Sequence, residues 1–453
     1  NDKIDWNFNN HGKLWNYNLN YFDYLNQDGL NPECSLFLIK DFCKNYDKIL
    51  DGKEAYPTSL RIINWVKFLS SNNIKSKNIS TVLLNDVNRL SNNLEYHLLG
   101  NHILENGFAL YFGSYFFKSK KCYKLSKNIL LSQLDEQILA DGAHFELSPM
   151  YHKHILNRIL DCINLHRLNS DFFDNDELIR LLNDKASIMA SWLDQIMFSC
   201  GEIPLLNDSS NKIYPTPRSI LQYYQILKNQ FEKIPLSESG YRKIKMENFE
   251  MIIDVGEIGP QYQPGHAHAD TFNFELYINQ APFIVDTGTS TYISSKLREI
   301  ERSTSSHNTV VVNDSNSSNV WGSFRVGSRA KITMLNESHN SVEAIHDGYF
   351  KFGILHMRKW YWKNDEIIIT DTLKGNEKLE KKAFFHLHPS RILSRNYKDF
   401  IIDDCIHLIF QNAIDCKITD YEYSPEFNIR HKSKCIEVVF DKKLITKIRI
   451  DKK

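Results

Sequence analysis

The amino-acid sequence predicts a helical domain followed by a domain of antiparallel β-strands. Between about residues 32 and 235, apolar residues recur three and four positions apart, the spacing that brings them to one face of an α-helix. After about residue 236, short β-branched and aromatic runs alternate with turns rich in Asn, Asp and Gly, which is typical of antiparallel strands. We therefore predict two domains, an all-α domain over residues 1–236 and an antiparallel β-sandwich over residues 237–453.

The helical part begins after a segment rich in aromatic and amide side chains, Leu14–Tyr24, which either lines a cleft or packs as an N-terminal segment. The spacing of apolar residues then predicts roughly seven to ten helices, of which 57–69 and 178–198 have the clearest period. In the second part, Lys363–Asp365 is a predicted hairpin turn between two apolar runs. The clearest predicted strands are Met251–Val255, Phe283–Val285, Thr309–Val312, Ile367–Ile369, Ala383–Leu387 and Ile436–Phe440.

Composition excludes several classes of function. The chain of 453 residues has 55 basic and 55 acidic residues, a balance that disfavours nucleic-acid or membrane-surface binding. It has no apolar run long enough to span a bilayer. The eight cysteines show no CxxC pair and are expected to be mostly buried free thiols. The first residue is Asn1 rather than Met, which we interpret as the mark of a processed or trimmed product.

Pro264–Asp270 is the most informative polar stretch, because two histidines and an aspartate alternate with alanines there. In an extended chain alternate residues point to the same side, so His266, His268 and Asp270 are expected to share one face. Such a face can bind a metal ion, move protons or form hydrogen bonds within a core.

A second candidate lies at Gly100–Phe108, where Asn101, His102 and Glu105 occupy a polar arc of a predicted helix. This arc can bind a carboxylate and move a proton, or Asn101 can simply cap the helix. A third candidate is Tyr151. Ser148 and Pro149 are a helix-start signal, so Tyr151 falls in the first turn, where the helix dipole favours tyrosinate unless the side chain is only packed there.

One further set consists of His268, Asp286 and His307, two imidazoles and a carboxylate of the kind that zinc prefers. These residues are separated by long sequence intervals, so polar core residues satisfied by the backbone are the alternative. Two acids in the loop 201–208, Glu202 and Asp208, are interpreted as belonging to a turn.

Taken together, seven ordered blocks of the sequence resemble the heparinase II/III family of polysaccharide lyases, with most similarity to members associated with bacterial surface-polysaccharide loci. The blocks are Trp15–Tyr24, Pro57–Trp65, Gly100–Gly107, Asp141–Tyr151, Gly265–Leu276, Arg302–Val310 and Val320–Arg325. The resemblance implies an incomplete α/α toroid followed by an antiparallel β-sandwich. It also implies β-elimination on a uronic-acid-containing polysaccharide, with 4,5-unsaturated uronate ends as products and the active site between the domains.

The resemblance also implies roles for individual residues. Asn101, with His102 beside it, matches the group that offsets the charge of the uronate carboxylate, and Tyr151 and His266 match the family's catalytic tyrosine and histidine. In a syn elimination Tyr151 is both base and acid. In an anti elimination His266 or His102 is the base and Tyr151 the acid. Glu105 matches a position that only some relatives use.

His268, Asp286 and His307 match a zinc site of family members, which we expect to be structural, with Glu275 and Arg302 as supporting residues. The expected partner is an acidic polysaccharide, and the expected location is the periplasm or the exterior of a bacterium. Which uronate polymer is cut, endo or exo action, and oligomeric state stay open.

Two alternatives remain at this point. One is a glycoside hydrolase on an α/α barrel that uses Glu105, Glu146 or Asp208 as its carboxyl pair. The other is a polysaccharide-binding or assembly protein that has the same fold and no turnover.

Overall fold

A computed structural model describes residues 4–27, 29–173, 176–228, 230–375, 378–396 and 399–451. Contacts between residues divide the chain into two compact units. The first unit consists of Asn1–Gln137 and Asn157–Ala186, and the second of Ile138–Leu156 and Ser187–Lys453. The first strand begins at Tyr241, after the helical part of the chain, which is the predicted order of secondary structure.

Nine α-helices precede the first strand in the described residues, within the predicted number, and a tenth short helix follows later in the chain. They are α1 (Lys13–Tyr21), α2 (Pro32–Asn45), α3 (Ala55–Ser71), α4 (Lys77–Ser91), α5 (Gly100–Phe117), α6 (Lys120–Gln137), α7 (Pro149–Leu168), α8 (Asp176–Ile196), α9 (Pro217–Lys228) and α10 (Lys296–Glu301). None of the helices in the described ranges is long and apolar enough to cross a lipid bilayer.

Local signals explain where several helices begin. Asn31 caps α2, since its side chain accepts a hydrogen bond from the Glu33 amide, and Pro32 occupies the first helical position. The two segments with the clearest helical period are confirmed as α3 and α8. Helix α5 begins without a side-chain cap, so the capping role considered for Asn101 is not observed.

The core of the first unit contains aromatic rings and the buried ion pair of Arg61 with Asp86. Phe22, Phe42 and Trp65 meet edge to face with centroids 5.1–5.5 Å apart. The Arg61 guanidinium binds Asp86 at 2.8 Å with both side chains fully buried. Residues 14–24 are only partly packed: Phe22 belongs to this core and Asn16, Asn20 and Tyr21 are buried, whereas Leu14 and Trp15 are each 43% exposed.

Within the described part of the second unit, sixteen strands form the sheets. They are β1 (Tyr241–Lys245), β2 (Phe249–Asp254), β3 (Phe274–Ile278), β4 (Ala281–Ile284), β5 (Val310–Val312), β6 (Val320–Trp321), β7 (Arg325–Val326), β8 (Ile332–Ser338), β9 (Ser341–His346), β10 (Leu355–Lys363), β11 (Glu366–Lys374), β12 (Lys381–His386), β13 (Leu393–Asn396), β14 (Asp399–Ile402), β15 (Ile406–Glu426) and β16 (Ile429–Ile450).

All the strand pairs within these sheets are antiparallel, as predicted. Strands β1 to β4 form one sheet in sequence order, and a larger sheet has the order β13-β14-β15-β16-β11-β10-β9-β8. Strand β12 pairs with β16 and β5, and β6 with β7. The predicted hairpin is confirmed, because Lys363 faces Glu366 where β10 turns into β11. Burial alternates along both of these strands, so every second side chain is buried. The buried side chains include members of the apolar core, such as Trp360 and Ile369, and the ion pair of Arg358 with Asp371.

The stretch Pro264–Asp270 is not a strand, which corrects the expectation of one shared face. Strand β3 begins only at Phe274, because Phe272 has a left-handed φ of 70° and Ala267 closes a turn on the Pro264 carbonyl at 3.1 Å. Long-range hydrogen bonds, rather than strand alternation, therefore decide where the side chains of this stretch point.

Gly142 precedes the segment that carries Tyr151, and its backbone requires glycine. Its φ is 93°, and an added Cβ would overlap the Ile188 carbonyl oxygen. Gly353 also has a positive φ, 70°, but nothing lies within 4 Å of an added Cβ.

We therefore expect Gly142→Ala to lower the free energy of unfolding by at least about 3 kcal/mol, because backbone must move as well as adopt a disfavoured φ. Gly353→Ala is the control and should cost only about 1 kcal/mol, from φ alone. Urea denaturation of both variants measures the difference. Equal losses would show that Gly142 has no steric role.

Candidate active site

A buried carboxylate, Asp208, is the centre of the polar network in the second unit. Its Oδ1 accepts hydrogen bonds from Arg298 Nη1 at 2.6 Å and His268 Nε2 at 2.9 Å. Its Oδ2 accepts from Arg298 Nη2 at 2.7 Å and His266 Nδ1 at 2.9 Å. One carboxylate therefore holds a bidentate arginine and both histidines of the Pro264–Asp270 stretch.

Backbone contacts bring these groups together. The Asp208 amide donates to the His266 carbonyl at 3.1 Å, and the Asn207 side chain accepts from the His268 amide at 3.0 Å. Arg298 comes from α10, which Ser295 caps by accepting from the Arg298 amide. The loop before α9 is thus tied to the histidine stretch through main chain as well as side chains.

The charge state of Asp208 sets the tautomers of both histidines. Burial alone would raise its pKa, but the Arg298 guanidinium and the two imidazoles hold the pKa of Asp208 well below its usual range. An ionised carboxylate accepts hydrogen bonds only, so His266 carries its proton on Nδ1 and His268 on Nε2. His266 then presents a lone pair at Nε2, and His268 presents one at Nδ1.

Tyr151 lies in the first turn of α7, as predicted, and its ring lies against His266. The centroids are 4.1 Å apart at an angle of 33°. Ser148 holds the turn, since its hydroxyl accepts from the Tyr151 amide and donates to the Asp208 carbonyl at 2.7 Å. The Tyr151 hydroxyl lies 3.3 Å from that of Tyr292.

Burial raises the pKa of Tyr151 well above its usual value. This is opposite to the direction that the helix dipole alone predicts, because loss of solvent outweighs the dipole. At neutral pH the Tyr151 hydroxyl therefore carries its proton. A proton donor on Tyr151 and a proton acceptor at His266 Nε2 lie on adjacent rings.

The free side of His266 is partly open. Its Nε2 lies 3.8 Å from Glu146 Oε2, and 14% of its side chain is exposed. The rings of Tyr292 and Phe324 flank it, with centroids 6.0 and 5.9 Å away. The His266 side chain is therefore partly open to solvent or to a ligand.

His268, Asp286 and His307, the predicted metal ligands, lie close together. The histidine centroids are 5.3 Å apart, and His307 Nδ1 lies 2.7 Å from Asp286 Oδ2. His268 Nδ1 and His307 Nε2 are buried without a hydrogen-bond partner. Burial lowers the pKa of His268 to about 4, so its imidazole is neutral, the form that binds a metal ion.

Asp286 is placed as a partner of His307 rather than as a third ligand. Its Oδ2 also accepts from Asn273 at 2.5 Å, and its Oδ1 accepts from the Gly288 amide at 2.9 Å. Among the residues that the structure describes, no group of three or more His, Cys, Asp or Glu is arranged to hold a metal ion. The two unpartnered histidine nitrogens are the atoms that a metal ion could use, and Asp286 orients His307 instead of adding a third ligand.

The two predicted supporting residues and Asp270 brace the backbone. Arg302 donates to the Ala267 carbonyl from Nη2 at 2.9 Å and so fixes the residue between the two histidines. Glu275 accepts from the Leu205 amide at 2.6 Å, and burial raises its pKa well above the usual value. Asp270 is fully buried, and burial raises its pKa to about 7.

Asn101, His102 and Glu105 lie in the first unit, on the first two turns of α5. His102 Nδ1 is 3.1 Å from Glu95 Oε1, so a carboxylate orients this histidine too. Both oxygens of Glu105 accept from Arg158 Nε at 3.2 Å in a buried ion pair. Asn101 is also buried and is the second residue of α5.

Sequence reasoning missed the structural importance of Asp208 and did not single out Glu95 or Tyr292. Asp208 was interpreted as a turn residue, yet it is fully buried. Its partners lie 58, 60 and 90 residues away in the sequence. The available signal was the apolar run beside this acid, which indicates that the loop is buried.

Asp208→Asn should lower the free energy of unfolding by about 3–5 kcal/mol, because it leaves the Arg298 guanidinium buried without a counter-ion. Asp420→Asn is the matched control, since Asp420 pairs with Lys434 at 2.6 Å at the surface, with 76% of its side chain exposed. Its unfolding midpoint in urea should not change measurably. A similar midpoint for both variants would contradict the central role of Asp208.

Two family models match the chain in succession. The model described as Heparinase II/III N-terminus matches residues 57–232. The model described as Heparinase II/III-like, C-terminal, matches residues 230–451. Among curated proteins, no sequence matches the chain.

Solved structures of polysaccharide lyases share the fold. A crystal structure of heparinase III aligns with a TM-score of 0.71 and 17% identity over 92% of this chain and 74% of that one. A mutant of the heparan sulfate lyase HepC from Pedobacter heparinus aligns with a TM-score of 0.67 and 17% identity, over 100% of this chain and 79% of that one. A chondroitinase AC lyase aligns with a TM-score of 0.54 and 8% identity, over 95% of this chain and 73% of that one.

These likenesses confirm the predicted fold class, a helical toroid followed by an antiparallel β-sandwich. The family models follow the same division of the chain into a helical and a strand-rich part. Because the two models together extend over residues 57–451, the chain belongs to the heparinase II/III family.

Proposed function

We propose that the protein is a polysaccharide lyase that cleaves a uronic-acid-containing polysaccharide by β-elimination and leaves 4,5-unsaturated uronate ends. The observation that carries the proposal is the pair formed by the Tyr151 phenol and the His266 imidazole, with His266 held by Asp208. Family membership supports it, since related solved structures are lyases of acidic polysaccharides by their names.

The chemistry requires three groups. The C5 proton of a uronate is α to a carboxylate, so the carboxylate charge must be offset before an enolate-like intermediate can form. Asn101, with His102, keeps this role in our proposal. A base then takes the C5 proton and an acid gives a proton to the departing O4.

We propose His266 as the base and Tyr151 as the acid, rather than Tyr151 in both roles, because burial keeps the proton on the Tyr151 hydroxyl and the Nε2 atom of His266 does not bind Asp208. His266 Nε2 takes the C5 proton, the C5–H electron pair becomes the C4–C5 double bond, and the C4–O4 bond breaks. Tyr151 gives its proton to O4 and becomes a phenolate, which the nearby Tyr292 hydroxyl stabilises by donating a hydrogen bond. Tyr151 as the base would first have to lose a proton that burial makes hard to remove.

The hydrolase alternative is less well supported. A hydrolase needs two carboxyl groups free to act as acid and base. Both oxygens of Asp208 are bound by Arg298, and both oxygens of Glu105 by Arg158. Two of the three carboxyl candidates are therefore engaged in buried ion pairs.

We further propose that His268 and His307 bind a structural zinc ion, with Asp286 orienting His307. The two buried nitrogens without partners support this proposal. A bound zinc ion would supply a cross-link between the loops that carry the two histidines. The elimination needs no step through it. The substrate we propose is an acidic polysaccharide, and a periplasmic or secreted location stays a prediction.

Tyr151→Phe should lower kcat/KM by at least about 10³-fold, because O4 would leave without a proton donor. The assay is the ultraviolet absorbance of unsaturated uronate during incubation with a panel of uronic-acid polymers. Tyr224→Phe is the matched control, since Tyr224 is a buried tyrosine whose hydroxyl donates to the Gln230 carbonyl on another part of the chain.

Full activity of Tyr151→Phe would refute the acid role. New reducing ends without ultraviolet absorbance would select the hydrolase. If His266→Gln keeps activity while Tyr151→Phe loses it, the base is Tyr151 itself or His102, and loss of activity in His102→Gln would select His102.

Metal analysis of the purified protein should find about one zinc per chain, and His307→Ala should abolish it, because a single imidazole holds zinc weakly. Removal of zinc with a chelator should lower the unfolding midpoint of the native protein and leave that of His307→Ala unchanged. Equal zinc content in both proteins would contradict this site.

A further inference from the structure

The second unit contains an open pocket of about 610 Å³ whose lining includes Lys153 from α7, Tyr214 from the loop before α9, and Tyr423 from β15. This volume lies within the range of ligand sites, roughly 300–1,000 Å³. The two tyrosines give it aromatic surface, and Lys153 gives it a cationic group. The proposed mechanism uses none of these three residues.

Lys153 is only 2% exposed, yet its amine has no hydrogen bond or ion pair to any residue that the structure describes. Burial lowers its pKa to about 8. A buried ammonium without a counter-ion is unfavourable, and proteins normally pair such a group. An anion bound in the pocket would provide the missing partner.

The other titratable groups that line the pocket do not act as a counter-ion for Lys153. Lys212 and Glu426 pair with each other at 2.7 Å, and Glu202 is exposed. Burial lowers the pKa of His388 to about 4, so this imidazole is neutral at physiological pH. The remaining titratable residues of the lining are Tyr214, Tyr423 and His431. Lys153 is therefore a buried cation whose charge the described lining leaves unpaired.

The pocket adjoins the candidate reaction centre. Lys153 lies two residues after Tyr151 on α7, a spacing that turns the two side chains to different sides of the helix, so the link between pocket and reaction centre is Tyr214. The Tyr214 ring stacks on His154, the next residue of the same helix, with centroids 4.1 Å apart at 25°. Tyr214 is also close enough to contribute to the raised pKa of Tyr151. A sugar chain whose scissile bond lies at Tyr151 could place a neighbouring unit here.

We propose that this pocket is a subsite for a negatively charged sugar unit next to the cleaved linkage, in which the Lys153 ammonium pairs with the carboxylate or sulfate of that unit. The tyrosine rings form walls of the pocket on which the sugar lies. Lys153 is a positioning and specificity residue rather than a catalytic one. This inference rests on the proposed function for its choice of ligand. Its test is a binding measurement that needs no turnover.

Calorimetric titration of the full chain at pH 8 uses three probes: a heparan sulfate tetrasaccharide, an alginate tetrasaccharide and neutral cellotetraose. The first carries carboxylates and sulfates, and the second carries carboxylates only. Lys153→Met should weaken binding of the preferred acidic probe by at least about tenfold, because it removes a buried charge partner. Lys153→Arg should retain most of the affinity. Cellotetraose should show no difference between the variants.

Lys212→Met is the matched control, since it removes an exposed lysine of the same lining that already pairs with Glu426, and it should change binding less than about twofold. Two readouts separate binding from a structural role. Without sugar, Lys153→Met should raise the unfolding midpoint, because an apolar side chain replaces an unpaired buried charge. With sugar, the wild type should take up protons at pH 8 and Lys153→Met should not.

Equal affinity of the wild type and Lys153→Met for both acidic tetrasaccharides would overturn the subsite, and so would no measurable binding of either by the wild type. Binding of both acidic probes assigns the carboxylate, and binding of the heparan probe alone assigns the sulfate. Lys153-dependent binding without ultraviolet product would leave the subsite standing and refute the lyase. Product formation together with binding that does not depend on Lys153 would support the lyase and refute the subsite.

Discussion

The Asp208 carboxylate is the interaction on which the rest of the candidate site depends. Its charge is kept by a bidentate arginine, and that charge decides where the protons of two histidines lie. The two imidazoles bind it through different nitrogens, His266 through Nδ1 and His268 through Nε2. One buried anion therefore leaves different nitrogens unbound on two neighbouring histidines, Nε2 on the partly exposed His266 and Nδ1 on the buried His268.

Loss of solvent is the second constraint, and it shifts the pKa values of different residues in opposite directions because it disfavours the charged form of each group. It keeps the phenol of Tyr151 protonated and the imidazole of His268 neutral, which suits an acid and a metal ligand respectively. It also lowers the pKa of the Lys153 amine, which has no counter-ion among the described residues. The same burial that organises the site thus creates the demand for a charged ligand beside it.

Sequence alone predicted what local signals determine. The change from helices to strands, the hairpin at Lys363–Asp365 and the position of Tyr151 after Ser148 and Pro149 all follow from short-range patterns, and the structure confirms them. The separate roles of His266 and His268 came from the family resemblance and stay predictions. The role of Asp208 was not predicted from the sequence, because it depends on partners 58 to 90 residues away that only folding brings into contact with this loop carboxylate. The alternation around His266 was misleading for the same reason, since long-range hydrogen bonds replaced the strand geometry that it suggested.

The shared carboxylate also has an evolutionary consequence. A substitution at position 208 removes the support of two histidines and strands a buried arginine in one step, so no single change there has a neutral route. Escape would require coordinated replacement of Arg298 and of both imidazoles. Loops that lie as many as 90 residues apart in the sequence are thereby constrained together by a single carboxylate.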